Sequence, residues 1–269
     1  MKRIHPTAIV DPQAQVGENV EIGPYAVIGP DVRIGDGTVV LAHAVIEGIT
    51  ILGKECKVHQ GAILGGPPQD LKYAGGKSIT RIGDRTRIRE CVTVNRATGD
   101  GMETVVGSEC LLMAYCHVGH NAALGDRVIL ANGVSLAGHA ELESNVSVGG
   151  LSGIHQFVRV GRGAYVGGMA ALRGDLLPYS LAAGIPCRPS SVNVVGMRRL
   201  GFNREEIEAV KTIHRLIFRS GLTLEEAIQR IENGFENCTN LRDEFCTFIR
   251  RSKRNLSRPR GQEGEEEEL

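Results

Sequence analysis

The chain has 269 residues, 42% of them apolar, with 31 basic and 31 acidic side chains and hence no formal net charge. That is enough apolar material for a large core, and it excludes the low-hydrophobicity, high-charge class that stays unfolded. No apolar run reaches the length of a membrane span and the first residues, Met1-Lys2-Arg3-Ile4-His5-Pro6, carry no apolar leader, so the expectation is a cytoplasmic protein with no integral membrane segment.

From Ile4 to Leu172 an aliphatic residue recurs every six positions, and 26 of the 29 positions in this register are Ile, Val or Leu. The exceptions, Asp70, Gly76 and Asp100, fall in polar, Gly-rich stretches that read as loop insertions near 66–80 and 97–104. A second register, four residues after each aliphatic one, runs Ala8, Ala14, Val20, Ala26 and onward to Ala170, and it holds small or β-branched residues apart from Pro68. A helix would need apolar spacings of three and four. Six residues with one large and one small inward side chain describe a short strand and a turn, so three units close a triangular coil of eighteen. The expected fold is therefore an all-β solenoid over residues 1–190, of about nine or ten coils at roughly 4.8 Å each, on the order of 45 Å long. Gly follows the aliphatic residue at thirteen corners from Gly17 to Gly167, where the backbone either needs positive φ or is closely approached. Aromatics make up only 4% of the chain and Trp is absent, as a narrow prism interior requires. Cys56, Cys110 and Cys116 occupy the small-residue register and read as core; the odd total of seven cysteines agrees with a reducing compartment.

Beyond Leu172 the period changes. Pro178, Pro186 and Pro189 mark a transition, and residues 191–252 read as a small helical domain packed on the prism. Asn203 with Glu206, and Thr223 with Glu226, look like capping boxes; Gly221 and Gly234 are placed as C-terminal stops. Ile207, Val210, Ile213 or His214, and Ile217 give one apolar face. Residues 253–269 read as a disordered charged tail, basic at first and then Glu263 and Glu265 to Glu268. With the five tail glutamates set aside the remainder carries about five net positive charges, and Arg198, Arg199, Arg204, Lys211, Arg215 and Arg219 cluster at the entry to the helices. They suit an anionic partner, or are surface charges paired with Glu205, Glu206 and Glu208. Nothing upstream supplies base readout, so no nucleic-acid partner is expected.

Chemistry is sought where the hexad rule breaks. His155 replaces a corner Gly, while His117, His120 and His139 stand beside Val118 and Leu136 at outward positions on neighbouring coils. Three readings of these imidazoles stay open on spacing alone: a metal site of the gamma carbonic anhydrase kind built between subunits, acyl transfer with one neutral His as base, and an interaction scaffold with no chemistry.

Longer motifs narrow the choice. The chain resembles the UDP-N-acetylglucosamine 3-O-acyltransferases of lipid A biosynthesis, within the hexapeptide-repeat acyltransferases. The resemblance rests on Ile4-His5-Pro6-Thr7-Ala8, Pro68-Gln69-Asp70-Leu71-Lys72-Tyr73-Ala74-Gly75, Ile88-Arg89-Glu90 with Asn95-Arg96, and Leu111-Leu112-Met113 leading to His117-Val118-Gly119-His120. It continues through Leu136-Ala137-Gly138-His139, His155-Gln156-Phe157, and Val192-Asn193 with Arg198-Arg199 and Gly201-Phe202, to about residue 250. It implies a left-handed parallel β-helix with a helical C-terminal domain, assembled as a homotrimer with sites between prisms. The implied donor is a 3-hydroxyacyl chain on acyl carrier protein, the acceptor is a UDP-amino-sugar, and no metal or cofactor is required. His120 matches the general base and Gly138 the backbone donor to the oxyanion. Gln69, Asp70, Lys72, His117, His139, His155 and Gln156 match positions that hold substrate, Asn193 and Arg199 match nucleotide contacts, and Gly168 with Met169 matches the position that limits acyl length. Two departures stand out: Asn121 where the family commonly has Asp, and Val195 where it commonly has Glu. The alternatives carried forward are an acetyl-CoA-dependent hexapeptide acetyltransferase and a metal-dependent hydratase like gamma carbonic anhydrase.

Overall fold

The computed structural model describes residues 2–252 and 254–259. Between Arg3 and Leu172 the chain makes short parallel strands that visit three sheets in turn, giving a left-handed parallel β-helix of triangular section. The first sheet begins with Arg3–Ile4, the second with Ile9–Val10 and the third with Gln15–Val16. Ile4 pairs with Ile22, Ile22 with Val40 and Val40 with Val58, so each coil advances the ladder by eighteen residues. The two excursions lengthen their coils while the aliphatic register still pairs: Leu52 with Ile82 across the first, and Ile82 with Val106 across the second.

Every other residue of a strand points inward. The aliphatic register from Ile22 to Leu172 and the small register from Val20 to Ala170 together form one continuous buried column. Thr38 in the small register uses its hydroxyl, Oγ1 donating to the Gly53 carbonyl (2.9 Å) and accepting the Cys56 N–H (3.0 Å), whereas the buried Thr80 hydroxyl has no partner among the described residues. Cys56, Cys110 and Cys116 lie in the same column, and burial pushes the Cys110 and Cys116 thiols up to about 11.

The corners resolve what the glycines are for. A Cβ at Gly35 would sit 2.6 Å from the Gly53 carbonyl carbon on the next coil, so that corner admits only glycine. The left-handed turn falls two residues later, mostly on non-glycine residues: Tyr25 (φ 58°), His43 (59°), Asn121 (59°), His139 (60°) and Phe157 (63°). Such a residue costs roughly 1–2 kcal/mol in that region. An intercoil hydrogen bond offsets it, as when His139 N–H donates to the His120 carbonyl (2.9 Å).

Past Leu172 an antiparallel hairpin, Ser180–Ala183 with Arg188–Val192, joins the first sheet, and four helices follow: α1 (Val194–Arg199), α2 (Arg204–Arg219), α3 (Leu224–Glu232) and α4 (Thr239–Arg251). Both capping boxes form, Asn203 with Glu206 and Thr223 with Glu226. Gly221 follows α2 at φ 75°. Ile207, Val210, Ile213 and His214 of α2 are buried with Phe245, Phe248 and Tyr179 in a second core. Arg159, buried on the third sheet, fastens this domain to the prism: its guanidinium donates to the Phe248 carbonyl (3.0 Å) and to Glu141 (3.1 Å) and lies over the Phe248 ring at 4.5 Å.

The expected tail departs from its reading at one stretch. Residues 254–259 return to the prism, where Asp175 pairs with Leu256, Ser257 Oγ donates to the Gly174 carbonyl (3.0 Å) and Arg254 to the Arg173 carbonyl (3.2 Å). Backbone pairing with a prism edge gave no hydropathy signal in so charged a segment. Residue 253 and residues 260–269, with the glutamate run, lie outside the described residues. No helix of the described residues is long and apolar enough to cross a membrane.

Candidate active site

The corner between the second and third sheets gathers most of the expected site residues. His117 is the outward residue of the strand His117–Val118, and the chain then turns through Gly119-His120-Asn121 into the third sheet. One coil on, the same turn is Ala137-Gly138-His139; one further, His155-Gln156-Phe157. The eighteen-residue repeat thus stacks His120, Gly138 and Gln156 in one column and Asn121, His139 and Phe157 in the next. Rings interlock along this edge: His120 meets His139 edge to face at 5.2 Å, and His139 stacks on Phe157 at 4.7 Å.

Gly138 is required by its neighbour. A Cβ there would lie 2.5 Å from His120 Nε2 and 2.6 Å from Cε1, so the imidazole occupies the space a side chain would take. Among the described residues no protein acceptor takes the Gly138 N–H. His120 Nδ1 lies 2.9 Å from Asn121 Oδ1, and Nε2 is left without a partner among the described residues.

Both flanking imidazoles are biased toward the neutral form. Burial lowers the His117 pKa, and the neighbouring His120 lowers it further; the His117 Nδ1 bonds the Thr93 hydroxyl at 2.8 Å. For His139, burial and His120 again lower the pKa, opposed by the Asp70 carboxylate. Asp70, although on the first excursion, therefore lies near enough to act on His139 through space. It shapes that loop as well: Lys72 N–H donates to its Oδ1 (2.9 Å) and Tyr73 N–H to its carbonyl (3.0 Å). Gln69 and Lys72 stay exposed.

Other expected residues lie elsewhere. Gly168 and Met169 occupy the corner between the first and second sheets, one edge away on the same prism. A Cβ at Gly168 would meet only Gly150, its carbonyl oxygen at 3.4 Å and its nitrogen at 3.8 Å, and Met169 is 66% exposed. Asn193 caps α1, its Oδ1 accepting from Gly196 N–H (2.9 Å) while its Nδ2 donates to the Gly163 carbonyl (2.9 Å). Arg199 and Val195 are exposed on that helix. Of the cationic cluster only Lys211 pairs with a carboxylate, Glu208 at 2.8 Å; Arg198, Arg199, Arg204, Arg215 and Arg219 carry no ion pair among the described residues. No three His, Cys, Asp or Glu side chains among the described residues converge as a metal site would need.

Several contributors had no role assigned from sequence. Arg96 donates to the Tyr73 hydroxyl (3.2 Å) and to the Gly65 carbonyl (3.2 Å), supporting the Asp70 loop from the second excursion. The two excursions are also tied directly, Lys77 N–H donating to Asp100 Oδ1 at 2.7 Å. Asn95 is buried with its Oδ1 unpaired. Arg96, Asn95 and Phe157 lay inside the motif strings, which was the available signal; Thr98, which bonds Asn121, had none.

Comparisons with known proteins bear on the family and the fold. A bacterial transferase hexapeptide model of six repeats matches residues 13–48 and 103–138, and the model for UDP N-acetylglucosamine O-acyltransferase, domain 2, matches residues 175–257. The chain is 47% identical over 234 residues (87% of this chain, 85% of the relative) to the acyl-[acyl-carrier-protein]–UDP-N-acetylglucosamine O-acyltransferase of Gloeothece citriformis. It is 41% identical over 264 residues (97% and 98%) to the protein of the same name from Sinorhizobium fredii. Among solved structures, the UDP-N-acetylglucosamine acyltransferase of Campylobacter jejuni superposes with a TM-score of 0.89 at 38% identity, covering 96% of this chain and 100% of that one. That of Francisella novicida gives 0.92 at 32%, covering 96% and 95%. With the hexad prism, the capped helical domain and the histidine corner all in place, the chain belongs to the UDP-N-acetylglucosamine O-acyltransferase family.

Proposed function

We propose that this protein transfers a 3-hydroxyacyl chain from acyl carrier protein to the 3-position of UDP-N-acetylglucosamine, the first step of lipid A biosynthesis, in the cytoplasm. One observation carries the assignment of the base: His120 stands partly buried at the corner with Nδ1 engaged by Asn121 Oδ1 (2.9 Å) and Nε2 pointing into the space left by Gly138.

The chemistry follows from those atoms. His120 Nε2 takes the proton of the sugar 3-hydroxyl as that oxygen attacks the thioester carbonyl carbon. Negative charge develops on the carbonyl oxygen, and the Gly138 N–H, with no acceptor in the protein, is the donor for it. Collapse re-forms the carbonyl and expels the pantetheine thiolate, which receives the proton from His120 Nε2. The lowered pKa values of His117 and His139 keep them neutral near pH 7, so they add no positive charge that would drive the proton off the base. Lys72 and Arg199, exposed and without ion pairs among the described residues, suit the diphosphate, and Arg offers it a fork of donors. Gln69, Asp70, His155 and Gln156 are assigned to the sugar and the acyl-pantetheine arm. The reaction as written needs neither metal nor cofactor.

A homotrimer fits the division of the site. Gly168 and Met169 flank one edge of the second sheet and His120 the other, and Tyr25, Tyr115, Leu151 and Ile9 leave apolar surface along that side. Packing three such prisms side by side sets one copy's Met169 edge against the next copy's His120 edge, where the open Gly168 position admits a long acyl chain and Met169 closes its end.

His120→Ala is expected to lower turnover of acyl-carrier-protein substrate by several orders of magnitude while light scattering still reports a trimer. Near-normal turnover overturns the assignment. Mass spectrometry of products from mixed acyl donors, with acetyl-CoA among them and 3-hydroxy and 3-amino acceptors side by side, fixes the donor, the chain length and the acceptor atom.

A further inference from the structure

The partner of His120 is an amide, and an amide has two unlike ends. We infer that Thr98, on the second excursion, is a positioning residue that fixes the tautomer of His120 by locking the Asn121 side chain; this rests on the reading of His120 as the base.

For Nε2 to accept a proton, the imidazole hydrogen must sit on Nδ1. An aspartate beside Nδ1 would enforce that unaided, because both its oxygens accept. Asparagine enforces it only with Oδ1 turned toward the ring; rotated by half a turn it would present Nδ2, a donor, and select the opposite tautomer. Ordinarily the two amide orientations are told apart only by their partners. Here the backbone of Thr98 reads both ends. Its N–H, which can only donate, meets Asn121 Oδ1 at 2.9 Å, and its carbonyl, which can only accept, meets Nδ2 at 3.3 Å. The Thr98 hydroxyl adds a second donor to Oδ1 at 2.8 Å. The amide is pinned at its root too, since Asn121 N–H donates to the buried Thr104 hydroxyl at 2.8 Å, with Asn121 at φ 59°, a region Asn tolerates better than most residues. With Oδ1 so assigned, the 2.9 Å contact to His120 Nδ1 is an N–H donated by the ring.

The excursion that carries Thr98 also carries Asp100, which holds the Lys77 end of the first excursion, and Gly101 N–H donates to the Lys77 carbonyl (2.9 Å). The loop that presents Asp70 and the lock on the base therefore share one support. Asn121 is neutral, and the ionisable groups beside His120 are His117 on its own coil and His139 on the next; Asp70 acts on His139, and Arg96 is engaged by Tyr73 and Gly65. An added carboxylate at 121 would stabilise the imidazolium.

The test uses the full-length protein labelled with 15N-histidine, with no substrate present, alongside pH–rate profiles. Wild type is expected to give the Nδ1–H tautomer at His120. Asn121→Ala should move that ring toward the Nε2–H tautomer and lower kcat by roughly 10- to 100-fold with little change in KM, short of the roughly 10⁴-fold loss seen when a catalytic His is locked in the wrong tautomer. Thr98→Pro, which deletes the N–H, should act in the same direction, and Thr98→Val, which keeps it, should cost no more than about 3-fold. Asn121→Asp should keep Nδ1–H, relieve the effect of Thr98→Pro, and raise the acid limb of the profile by about one pH unit. An Nε2–H tautomer in wild type, or an Asn121→Ala variant with unchanged tautomer and profile, overturns the inference. If Thr98→Pro fails to fold, the Asn121 variants decide it. Nδ1–H at His120 in a protein without acyltransferase turnover would sink the proposed reaction and leave the lock standing.

Discussion

Gly138→Ala isolates the contact on which the corner is built. The new Cβ would lie 2.5 Å from His120 Nε2, 2.6 Å from Cε1 and 3.1 Å from Cδ2. Ordinary carbon contacts sit at about 3.5–4.0 Å, so the ring must retreat by about 1 Å. Its other end is held 2.9 Å from Asn121 Oδ1, and a ring displaced by that much, in any direction, no longer makes that bond with the same geometry. A misplacement of about 1 Å costs on the order of 10²-fold in rate, about 2.7 kcal/mol of barrier. The backbone N–H at 138 survives the change, so the loss reports on the base rather than on the oxyanion donor. Stability should scarcely move. Gly138 has no positive φ, so alanine gains about 0.4–1 kcal/mol by restricting the unfolded chain, against the strain of one partly buried ring. Steady-state kinetics with saturating acyl donor, read beside thermal unfolding, make the check. A variant with kcat near wild type refutes the steric reasoning, and one whose Tm collapses shows that the column is structural and not catalytic.

Two further outcomes concern the helical domain. His214 is buried against Pro178, its Nε2 3.0 Å from that carbonyl, and burial holds its pKa down at about 4. Unfolded, the same imidazole takes up a proton below about pH 6.5, so stability present above that pH is lost as the pH falls toward 4, by about 3 kcal/mol in all. Unfolding of wild type and His214→Leu at pH 7, 5 and 4 should show the two stabilities converging as the pH falls, and parallel pH dependences would contradict it. Arg159→Ala should leave the Phe248 carbonyl unpaired and release the latch at a cost of about 2–3 kcal/mol, discounted for the half-exposed Glu141 and Glu143. Calorimetry is expected to record the fall in Tm while kcat/KM at 25 °C stays within about threefold, the catalytic corner being untouched. A loss of activity with unchanged Tm would place Arg159 in the site instead.

The prism was legible because its cause is local. A residue such as Val118 is aliphatic for the same reason as Leu136, eighteen positions on: each faces the same column, and the ladder copies the phase. The same arithmetic set His117, His120, His139 and His155 along one edge or its adjoining faces, and Asn203-x-x-Glu206 marked its helix start through two reciprocal hydrogen bonds. Periodicity was silent wherever the chain leaves the register. Thr98 looked like any loop threonine, and Asp70, some 50 residues before His120, was tied to the corner only by motif. Both lie near it because the two excursions fold back over adjacent coils and bond each other through Lys77 and Asp100.

The chain's own order of residues therefore determined the solenoid, its corners and its helix starts, since each follows from side-chain size and spacing within one coil or one turn, while His120 was singled out as candidate base by the longer motifs. Tertiary structure decided the rest: that glycine at 138 makes room for an imidazole from the coil before, that a backbone amide at 98 sets which way an asparagine faces, and that residues 254–259 close onto the prism. These depend on contacts of three ångströms between segments whose separation in sequence carries no periodic signal, and only folding brings them within reach.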